Sequence, residues 1–221
     1  MHPIRNSQLT GRLRLAHARE THEAKTQDMD EERRRFLALA DPAAAARAVS
    51  SFNLFQTPPA IAARMAELLD YRGGRILEPS AGLGRLYSAA RAVAHDSPIV
   101  LVENSPHCCA ELYRMIAGDS ATRLVQGDFL SKSVEDLGGP FDRVLMNPPF
   151  KLGTDIKHIS AALELLTPGG LVVALCYGGS RQEKHLRPSA DTWERLPSGS
   201  FASEGTRADV VLCSFRSSRR E

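Results

Sequence analysis

The sequence has no long hydrophobic run and little excess of charge. Its longest nearly uninterrupted apolar stretch runs from Leu171 to Tyr177, far short of the ~20 residues that a helix needs to cross a bilayer. The N-terminus also lacks the apolar segment of a secretory signal, so we expect a cytoplasmic protein. Lys and Arg number 28 against 26 Asp and Glu, a net charge of +2, so contact with nucleic acid would require a local basic patch.

Cysteine is also scarce. The four cysteines are Cys108, Cys109, Cys176 and Cys213. Two of them are adjacent and the others are isolated, a spacing that fits neither a zinc cluster nor a disulfide framework. Reduced, packed thiols are therefore expected.

The chain does contain enough apolar residues to bury a core. Of its 221 residues, 43% are hydrophobic and 24% are charged, which predicts one principal domain with an appendage. We expect residues 1–50 to form a helical arm that is partly flexible. Residues 51–216 are expected to form the domain, and residues 217–221 a basic tail.

From about residue 50 the hydrophobic pattern alternates between helix and strand. Five β-prone runs are expected to form strands at residues 75–78, 99–103, 122–126, 141–146 and 171–177. Helical patterns begin at Pro58, after Gly84, at Pro106 and near Ile156, and the last ends at Thr167. Short strands separated by helices require right-handed crossovers, which predicts an α/β fold with a doubly wound, mostly parallel, Rossmann-like sheet.

The C-terminal part departs from this alternation. Residues 199–202 and 208–216 are β-prone and are joined by a turn that is too short for a crossover helix. They are therefore expected to form an antiparallel hairpin at the edge of the sheet. The hairpin would bring the five strands to seven.

A segment with two glycines follows the first predicted strand and reads Glu78-Pro-Ser-Ala-Gly82-Leu-Gly84. Ligands of open α/β sheets bind at the carboxyl ends of strands, where glycine lets the backbone approach closely. A tight strand-to-helix turn explains the two glycines about as well. Glu103 ends the second strand near the offset at which an acidic residue accepts ribose hydroxyls, whereas Tyr87 replaces the third glycine of a dinucleotide fingerprint. The combination favours a nucleoside-containing ligand without a diphosphate.

The tetrapeptide Asn147-Pro-Pro-Phe150 follows the fourth predicted strand, on the same edge of the sheet. Its two prolines fix the backbone and remove amide donors, which leaves carbonyls and the Asn147 side chain as acceptors. A rigid row of acceptors suits an amino group and stabilises the positive charge that develops when this nitrogen attacks an electrophilic methyl. Phe150 is placed to stack on a planar substrate. A plain turn leaving the strand is the alternative.

Over about residues 52–216 these motifs resemble those of class I S-adenosylmethionine-dependent methyltransferases of the N6-adenine type. The resemblance includes Phe55-Gln-Thr-Pro58 before the glycine loop and Gly127-Asp128-Phe129 after the third strand. It implies S-adenosyl-L-methionine as the cofactor. The cofactor-binding residues that it implies are Phe55, Gln56, Thr57, Pro58, Glu78, Pro79, Ser80, Gly82, Gly84, Glu103, Asn104, Asp128 and Phe129.

The resemblance also implies a role for each cofactor motif. Residues 55–58 would lie against the cofactor's carboxylate, and Glu78 would orient its methionine amino group. Glu103 would accept hydrogen bonds from both ribose hydroxyls. Asp128 would take the adenine amino group, with a helix cap as its competing role.

The catalytic residues implied by the resemblance are Asn147, Pro148, Pro149 and Phe150. The Asn147 side chain and the Pro148 carbonyl would hold the target N6 amino group, and Phe150 would stack on the extruded base. Transfer by in-line displacement needs no covalent intermediate and no metal. None of the seven histidines lies at a predicted strand end within a motif, so they are expected to be solvated or in the core.

The Asn-Pro-Pro-Phe motif defines an amino group as the target and leaves its carrier open. The resemblance of residues 55–58 to the segment found in N6-adenine methyltransferases implies adenine, so we expect a nucleic-acid partner, with DNA favoured over RNA. Four alternatives remain: an adenine or guanine amino group in ribosomal or other RNA, a protein glutamine, a non-catalytic cofactor-binding module, and a Rossmann-fold dehydrogenase. The sequence makes no prediction of oligomeric state.

Sequence readout has few candidate segments, because only Arg216 to Glu221 follows the last predicted strand. We expect it from the N-terminal arm, from residues 151–157 or from residues 178–197. The last segment carries Arg181, Lys184, His185, Arg187 and Trp193, which would approach phosphates beside the active site. A solvated loop is the alternative for it.

Overall fold

The structure is a computed structural model that describes residues 55–217. The predicted arm at residues 1–50 and most of the predicted basic tail lie outside these residues. The described helices are α1 Pro59–Leu68, α2 Arg85–Val93, α3 Pro106–Met115, α4 Val134–Leu137, α5 Thr154–Glu164 and α6 Ser180–His185. The described strands are β1 Ile76–Glu78, β2 Ile99–Glu103, β3 Thr122–Gln126, β4 Phe141–Met146, β5 Leu166–Tyr177, β6 Thr192–Arg195 and β7 Val210–Arg216.

The strands form one seven-stranded sheet in the order β3-β2-β1-β4-β5-β7-β6. The first five strands in this order run parallel, and β7 runs antiparallel to both β5 and β6. This arrangement confirms the predicted doubly wound, mostly parallel sheet with a C-terminal antiparallel hairpin. The chain order reverses between β1 and β4, which is where open α/β sheets bind ligands at the carboxyl ends of their strands.

The inner strands are buried over almost their whole length. Every residue of β1 and β2 is buried, and so is the stretch of β5 from Leu171 to Cys176. A continuous apolar run is the pattern of a strand covered on both faces, which the sequence had indicated for β5. Among residues 55–217, no helix has the length and apolar character needed to span a bilayer.

The hairpin has a different first strand from the predicted one. β7 pairs with Thr192–Arg195, so that Thr192 faces Ser214 and Trp193 faces Cys213. Residues 199–202 were predicted as this strand, but residues 199–201 lie in a turn and residue 202 begins the 3₁₀ helix Ala202–Glu204. Left-handed glycines at φ +79° (Gly199) and +86° (Gly205) bracket this stretch and end any extended run.

The boundary between α5 and β5 also differs from the prediction. The helix ends at Glu164 and the strand begins at Leu166, whereas the apolar spacing had extended the helix to Leu166 and Thr167. Leu166 pairs with Phe141 and Leu171 pairs with Arg143, so residues 167–170 form a bulge in β5. The bulge is held by a 3.0 Å hydrogen bond from Thr167 Oγ1 to Asp142 Oδ1, a partner that is distant in sequence.

Candidate active site

Four predicted motifs lie on one edge of the sheet, because the parallel strands β1 to β4 all end there. The glycine loop follows β1, Glu103 ends β2, Asp128 follows β3 and Asn147 follows β4. Hydrogen bonds join the glycine loop to the end of β2, and the residues after β4 to the segment before α1.

Glu103 ties the glycine loop to the end of β2. Its Oε2 accepts a hydrogen bond from the Gly82 N–H at 2.8 Å, and its Oε1 accepts one from the Ser105 N–H at 2.7 Å. The carboxylate is buried, and each oxygen keeps a further lone pair for a ligand donor. Asn104, the other residue predicted here, is exposed beside it.

Glu78 is a buried carboxyl group at the end of β1. Its Oε2 accepts no hydrogen bond from any residue within 55–217. Burial raises the pKa of Glu78 well above 4.5, and the negative charge of Glu103 raises it further. A buried acceptor without a hydrogen-bond partner lowers the stability of the folded protein. This position therefore fits an ammonium group that would donate to the Glu78 oxygen. Pro79 is buried and Ser80 half-buried in the loop that follows.

The two glycines of the loop have left-handed backbones, with φ +53° at Gly82 and +79° at Gly84. Gly84 begins α2 and packs against α3. A Cβ added to it would lie 2.6 Å from Met115 Sδ and 3.0 Å from Leu112 Cδ2. The close packing of Gly84 against α3 supports a structural role for this glycine, and its role in cofactor binding stays a prediction.

Gly84→Ala is expected to lower the free energy of unfolding by about 2–4 kcal/mol, through left-handed strain together with overpacking. Gly118→Ala is the matched control, because Gly118 has φ +89° and no atom within 4 Å of an added Cβ. Denaturant unfolding of both variants separates the two effects. Equal losses for the two would contradict the packing role of Gly84.

Asn147 is held by the segment that precedes α1. Its Nδ2 donates to the Phe55 carbonyl at 3.1 Å and to Thr57 Oγ1 at 3.2 Å, and Thr57 is buried. With the amide nitrogen used in this way, the Asn147 Oδ1 is the atom left to accept from a substrate. In the same segment Gln56 is half-buried and Pro58 is buried.

The rest of the tetrapeptide lies partly in the protein interior. Pro148 is buried, and Pro149 and Phe150 are half-buried. Phe150 leads into a 3₁₀ turn, Lys151–Gly153, and its carbonyl accepts from the Gly153 N–H at 3.3 Å. A half-buried side chain at this position is compatible with the stacking role expected for Phe150.

Asp128 adopts the helix-cap role that the sequence had left open. Its Oδ1 accepts from the Leu130 N–H at 3.0 Å and caps the 3₁₀ turn Phe129–Ser131. The side chain is otherwise exposed, so capping does not prevent its second oxygen from meeting a ligand. Phe129 is buried beneath it.

His158 is a site residue that the sequence motifs did not reveal. Its Nδ1 lies 3.2 Å from Ser80 Oγ, and its ring centroid lies 5.4 Å from that of Phe129. It therefore joins the loop after β1 to the residues after β3. The helical spacing of the sequence could have indicated His158, because it lies on the buried face of α5 with Asp155, Ile159 and Ala162.

Burial lowers the pKa of His158 from 6.5 to about 4, although the Asp128 carboxylate acts in the opposite direction. Because the unfolded chain binds this proton more tightly, wild-type stability is expected to fall as the pH drops from 6.5 towards 4. His158→Asn should remove this loss, so that the melting-temperature difference between the two proteins shifts by roughly 5–10 °C across that range. Parallel melting curves between pH 7 and pH 4 would show that the buried histidine does not titrate in this way.

Asp155 is a second residue that the sequence motifs did not reveal. It is fully buried in the first turn of α5, and burial raises the pKa of its carboxyl group. Its Oδ2 accepts from the Tyr177 N–H at 2.9 Å, and both oxygens accept from Gln182 Nε2 at 3.0 Å. One carboxyl thus joins the start of α5, the end of β5 and helix α6.

No family model matches the chain. Comparison with curated proteins finds rRNA N(6)-adenosine-methyltransferase metl-5 of Caenorhabditis elegans, which is 22% identical over 151 residues, 63% of this chain and 70% of that protein.

Solved structures give a consistent fold. TrmN from Thermus thermophilus matches with a TM-score of 0.60 at 22% identity, over 79% of this chain and 52% of that one, so the chain spans about half of that protein. An RNA methyltransferase from Salinibacter ruber, in complex with S-adenosyl-L-homocysteine, matches with a TM-score of 0.53 at 20% identity, over 75% of this chain and 95% of that one. Together with the strand order, these matches show that the chain has the Rossmann-like methyltransferase fold.

Proposed function

We propose that the protein transfers a methyl group from S-adenosylmethionine to the N6 amino group of adenine in RNA. The observation that carries this proposal is the pair of hydrogen bonds from Asn147 to Phe55 and Thr57. These bonds orient the asparagine acceptor and bring the Asn-Pro-Pro-Phe motif into contact with the segment assigned to the cofactor. Direct transfer requires the segment that holds the methyl donor and the motif that holds the acceptor to lie side by side.

The residues of the glycine-loop side fit the cofactor in chemistry and in burial. The unpaired Glu78 oxygen supplies an acceptor for the methionine ammonium, and the lone pairs left on Glu103 supply acceptors for ribose hydroxyls. Asp128 and Phe129 offer one exposed carboxylate and one buried ring for the adenine. The cofactor, when bound, supplies an electrophilic methyl on a sulfonium.

The acceptor row does the remaining chemistry. Asn147 Oδ1 and the Pro148 carbonyl accept hydrogen bonds from the target amino group, which aims its nitrogen lone pair away from them. As the nitrogen becomes cationic, the two oxygen dipoles are already oriented towards the growing charge. Phe150 stacks on the base and holds its plane fixed, and no protein nucleophile takes part. The S–CH₃ bond would break as the N–CH₃ bond forms, S-adenosylhomocysteine would leave, and the methylated nitrogen would lose one proton to water.

RNA is preferred over DNA as the carrier of the adenine. The curated relative is named as an rRNA N6-adenosine methyltransferase, and the Salinibacter ruber neighbour is named as an RNA methyltransferase. The DNA preference drawn from the sequence finds no support in these relatives. RNA also offers unstacked bases in loops, which lowers the energy needed to place an adenine against Phe150.

The test is methyl transfer from tritiated S-adenosylmethionine to four substrates in parallel: ribosomes, total RNA, single-stranded DNA and double-stranded DNA. Labelled products are digested and identified by nucleoside mass spectrometry. N6-methyladenosine in RNA that disappears with Asn147→Ala is the expected result. N6-methyladenine confined to DNA would move the target to DNA, and label only in protein would replace the adenine by a glutamine amide. Cofactor binding with no transfer to any substrate would indicate a non-catalytic module.

A further inference from the structure

The 3₁₀ turn Lys151–Gly153, which follows the catalytic tetrapeptide, has an unusual backbone. Leu152 has φ +57° and Gly153 has φ +72°, so two consecutive residues are left-handed. A left-handed residue other than glycine is uncommon and is concentrated at functional sites. The Leu152 side chain is also among the exposed large hydrophobic groups of residues 55–217.

The side chain of Arg181 lies against this turn. A Cβ added to Gly153 would stand 3.2 Å from Arg181 Cδ and 3.3 Å from Arg181 Nη1. The arginine therefore crosses the place that a side chain at position 153 would occupy. Glycine at this position serves both the left-handed backbone and the approach of the arginine.

Helix α6 is anchored so that Arg181 is presented at this turn. The neighbouring residue, Gln182, is buried and donates to both oxygens of Asp155 at 3.0 Å. Asp155 lies in the first turn of α5, directly beyond the Lys151–Gly153 turn. The backbone on both sides of the arginine contact is therefore fixed by one buried hydrogen-bond pair.

The guanidinium of Arg181 is available for a ligand. Within the part of the chain that the structure describes, it has no ion pair and no hydrogen bond, and the residue is exposed. Two other arginines of this region are already paired. Arg187 Nη1 lies 3.9 Å from Glu183 Oε1, and Arg195 Nη2 lies 2.8 Å from the same oxygen. A guanidinium presents a planar fork of donors that matches a phosphate group.

We propose that Arg181 binds a backbone phosphate next to the target adenosine and so positions that nucleotide over Phe150. The inference rests on the proposed function and adds the residue that recognises the backbone. The ligand chemistry is a phosphodiester, which RNA and DNA share. Lys151, which begins the same turn, adds a second positive charge on this side of the site.

The test compares Arg181→Gln with Arg72→Gln, a control that removes an exposed arginine already paired with Asp70 and lying before β1, outside the segments expected to read the nucleic acid. Binding of fluorescent adenine-containing single-stranded RNA and DNA oligonucleotides is measured by anisotropy from 50 to 300 mM salt, and methyl transfer is measured on the same oligonucleotides. Arg181→Gln is expected to raise Kd and KM for the oligonucleotide about tenfold and to reduce the slope of log Kd against log salt by about 0.7. The affinity for S-adenosylmethionine and the Tm should stay at wild-type values.

Arg181→Lys keeps the charge and should restore the salt slope while recovering only part of the affinity. If wild type methylates RNA or DNA adenine and the two glutamine variants behave alike, the inference on Arg181 is wrong and the proposed function stands. If wild type methylates adenine in neither nucleic acid, the proposed function fails and the inference fails with it. A tenfold effect seen with DNA alone would assign the phosphate to DNA.

Discussion

Asn147→Ala is expected to lower kcat for methyl transfer about 10²–10³-fold. This is the usual loss when an enzyme loses one preoriented group that stabilises the charge developing in the transition state. Asn147 Oδ1 is the acceptor left free once Nδ2 is bonded to Phe55 and Thr57. Because Glu78 and Glu103 are untouched, the dissociation constant for S-adenosylmethionine should change only a few-fold. Single-turnover kinetics and calorimetric binding measure the two quantities separately.

Thr57 supplies a matched pair of variants for the same contact. Thr57→Val removes the hydroxyl that accepts from Asn147 Nδ2, while the second bond, to the Phe55 carbonyl, remains. A loss of about 1 kcal/mol, or roughly five- to tenfold in kcat, is expected. Thr57→Ser keeps the acceptor and should stay within about twofold of wild type. If Asn147→Ala stayed within tenfold of wild type, the asparagine would not be the charge-stabilising acceptor.

Glu78→Gln is expected to have opposite effects on cofactor binding and on stability. A neutral amide cannot replace a carboxylate facing an ammonium, so the affinity for S-adenosylmethionine should fall about 10–100-fold. The cofactor-free protein should become more stable, because the variant no longer buries an unpaired ionisable oxygen beside Glu103. Calorimetry measures the first effect and thermal unfolding the second.

The gain in stability of Glu78→Gln over wild type should increase as the pH rises. The pKa of Glu78 is raised in the folded protein by burial and then by Glu103. The folded state therefore binds this proton more tightly than the unfolded state, and stability falls as the pH rises from 4.5 through the raised pKa. Without cofactor, wild type should lose Tm relative to Glu78→Gln over this range, most at the alkaline end. At pH 4 the two proteins should melt at similar temperatures.

Glu103→Gln is the control for this effect. Both Glu103 oxygens accept backbone N–H groups, so an amide places an NH₂ against one of them. Glu103→Gln should lose about 1–3 kcal/mol of stability, although, like Glu78→Gln, it replaces one carboxyl group of this pair by a neutral amide. If Glu78→Gln and Glu103→Gln both stabilised the protein, the gain would come from removing negative charge alone. If both destabilised it, the Glu78 oxygen would not be unpaired.

The parallel part of the fold was predictable because buried strands and amphipathic helices carry a strong periodic signal. The bounds of β2, β3 and β4 match the predicted ones. The errors lie where distant residues decide the conformation. The hairpin partner of β7 depends on pairing of Thr192 with Ser214, and the early start of β5 depends on a bulge held by Asp142.

In the candidate site, too, some residues could be predicted from the local sequence, whereas others depend on residues that are distant in the sequence. Glu78, Glu103, Asp128 and Asn147 could be placed together from the sequence because each ends or follows a strand of the parallel sheet, whereas residues 55–58 were placed by resemblance alone. His158, Asp155 and the Arg181–Gly153 contact could not, because their importance comes from residues on other elements. The competing roles of Gly84 and Asp128 were also open in the sequence, because close packing and capping depend on atomic contacts.

The position of β7 has a consequence for the order in which the chain can fold during synthesis. Of the seven strands described in residues 55–217, β7 is the last to leave the ribosome, yet it lies between β5 and β6 in the sheet. Until residues 210–216 have emerged, the buried strand β5 has an open edge, and β6 has no strand to pair with. A nascent chain that stops short of this point therefore presents an apolar edge that favours pairing with other chains.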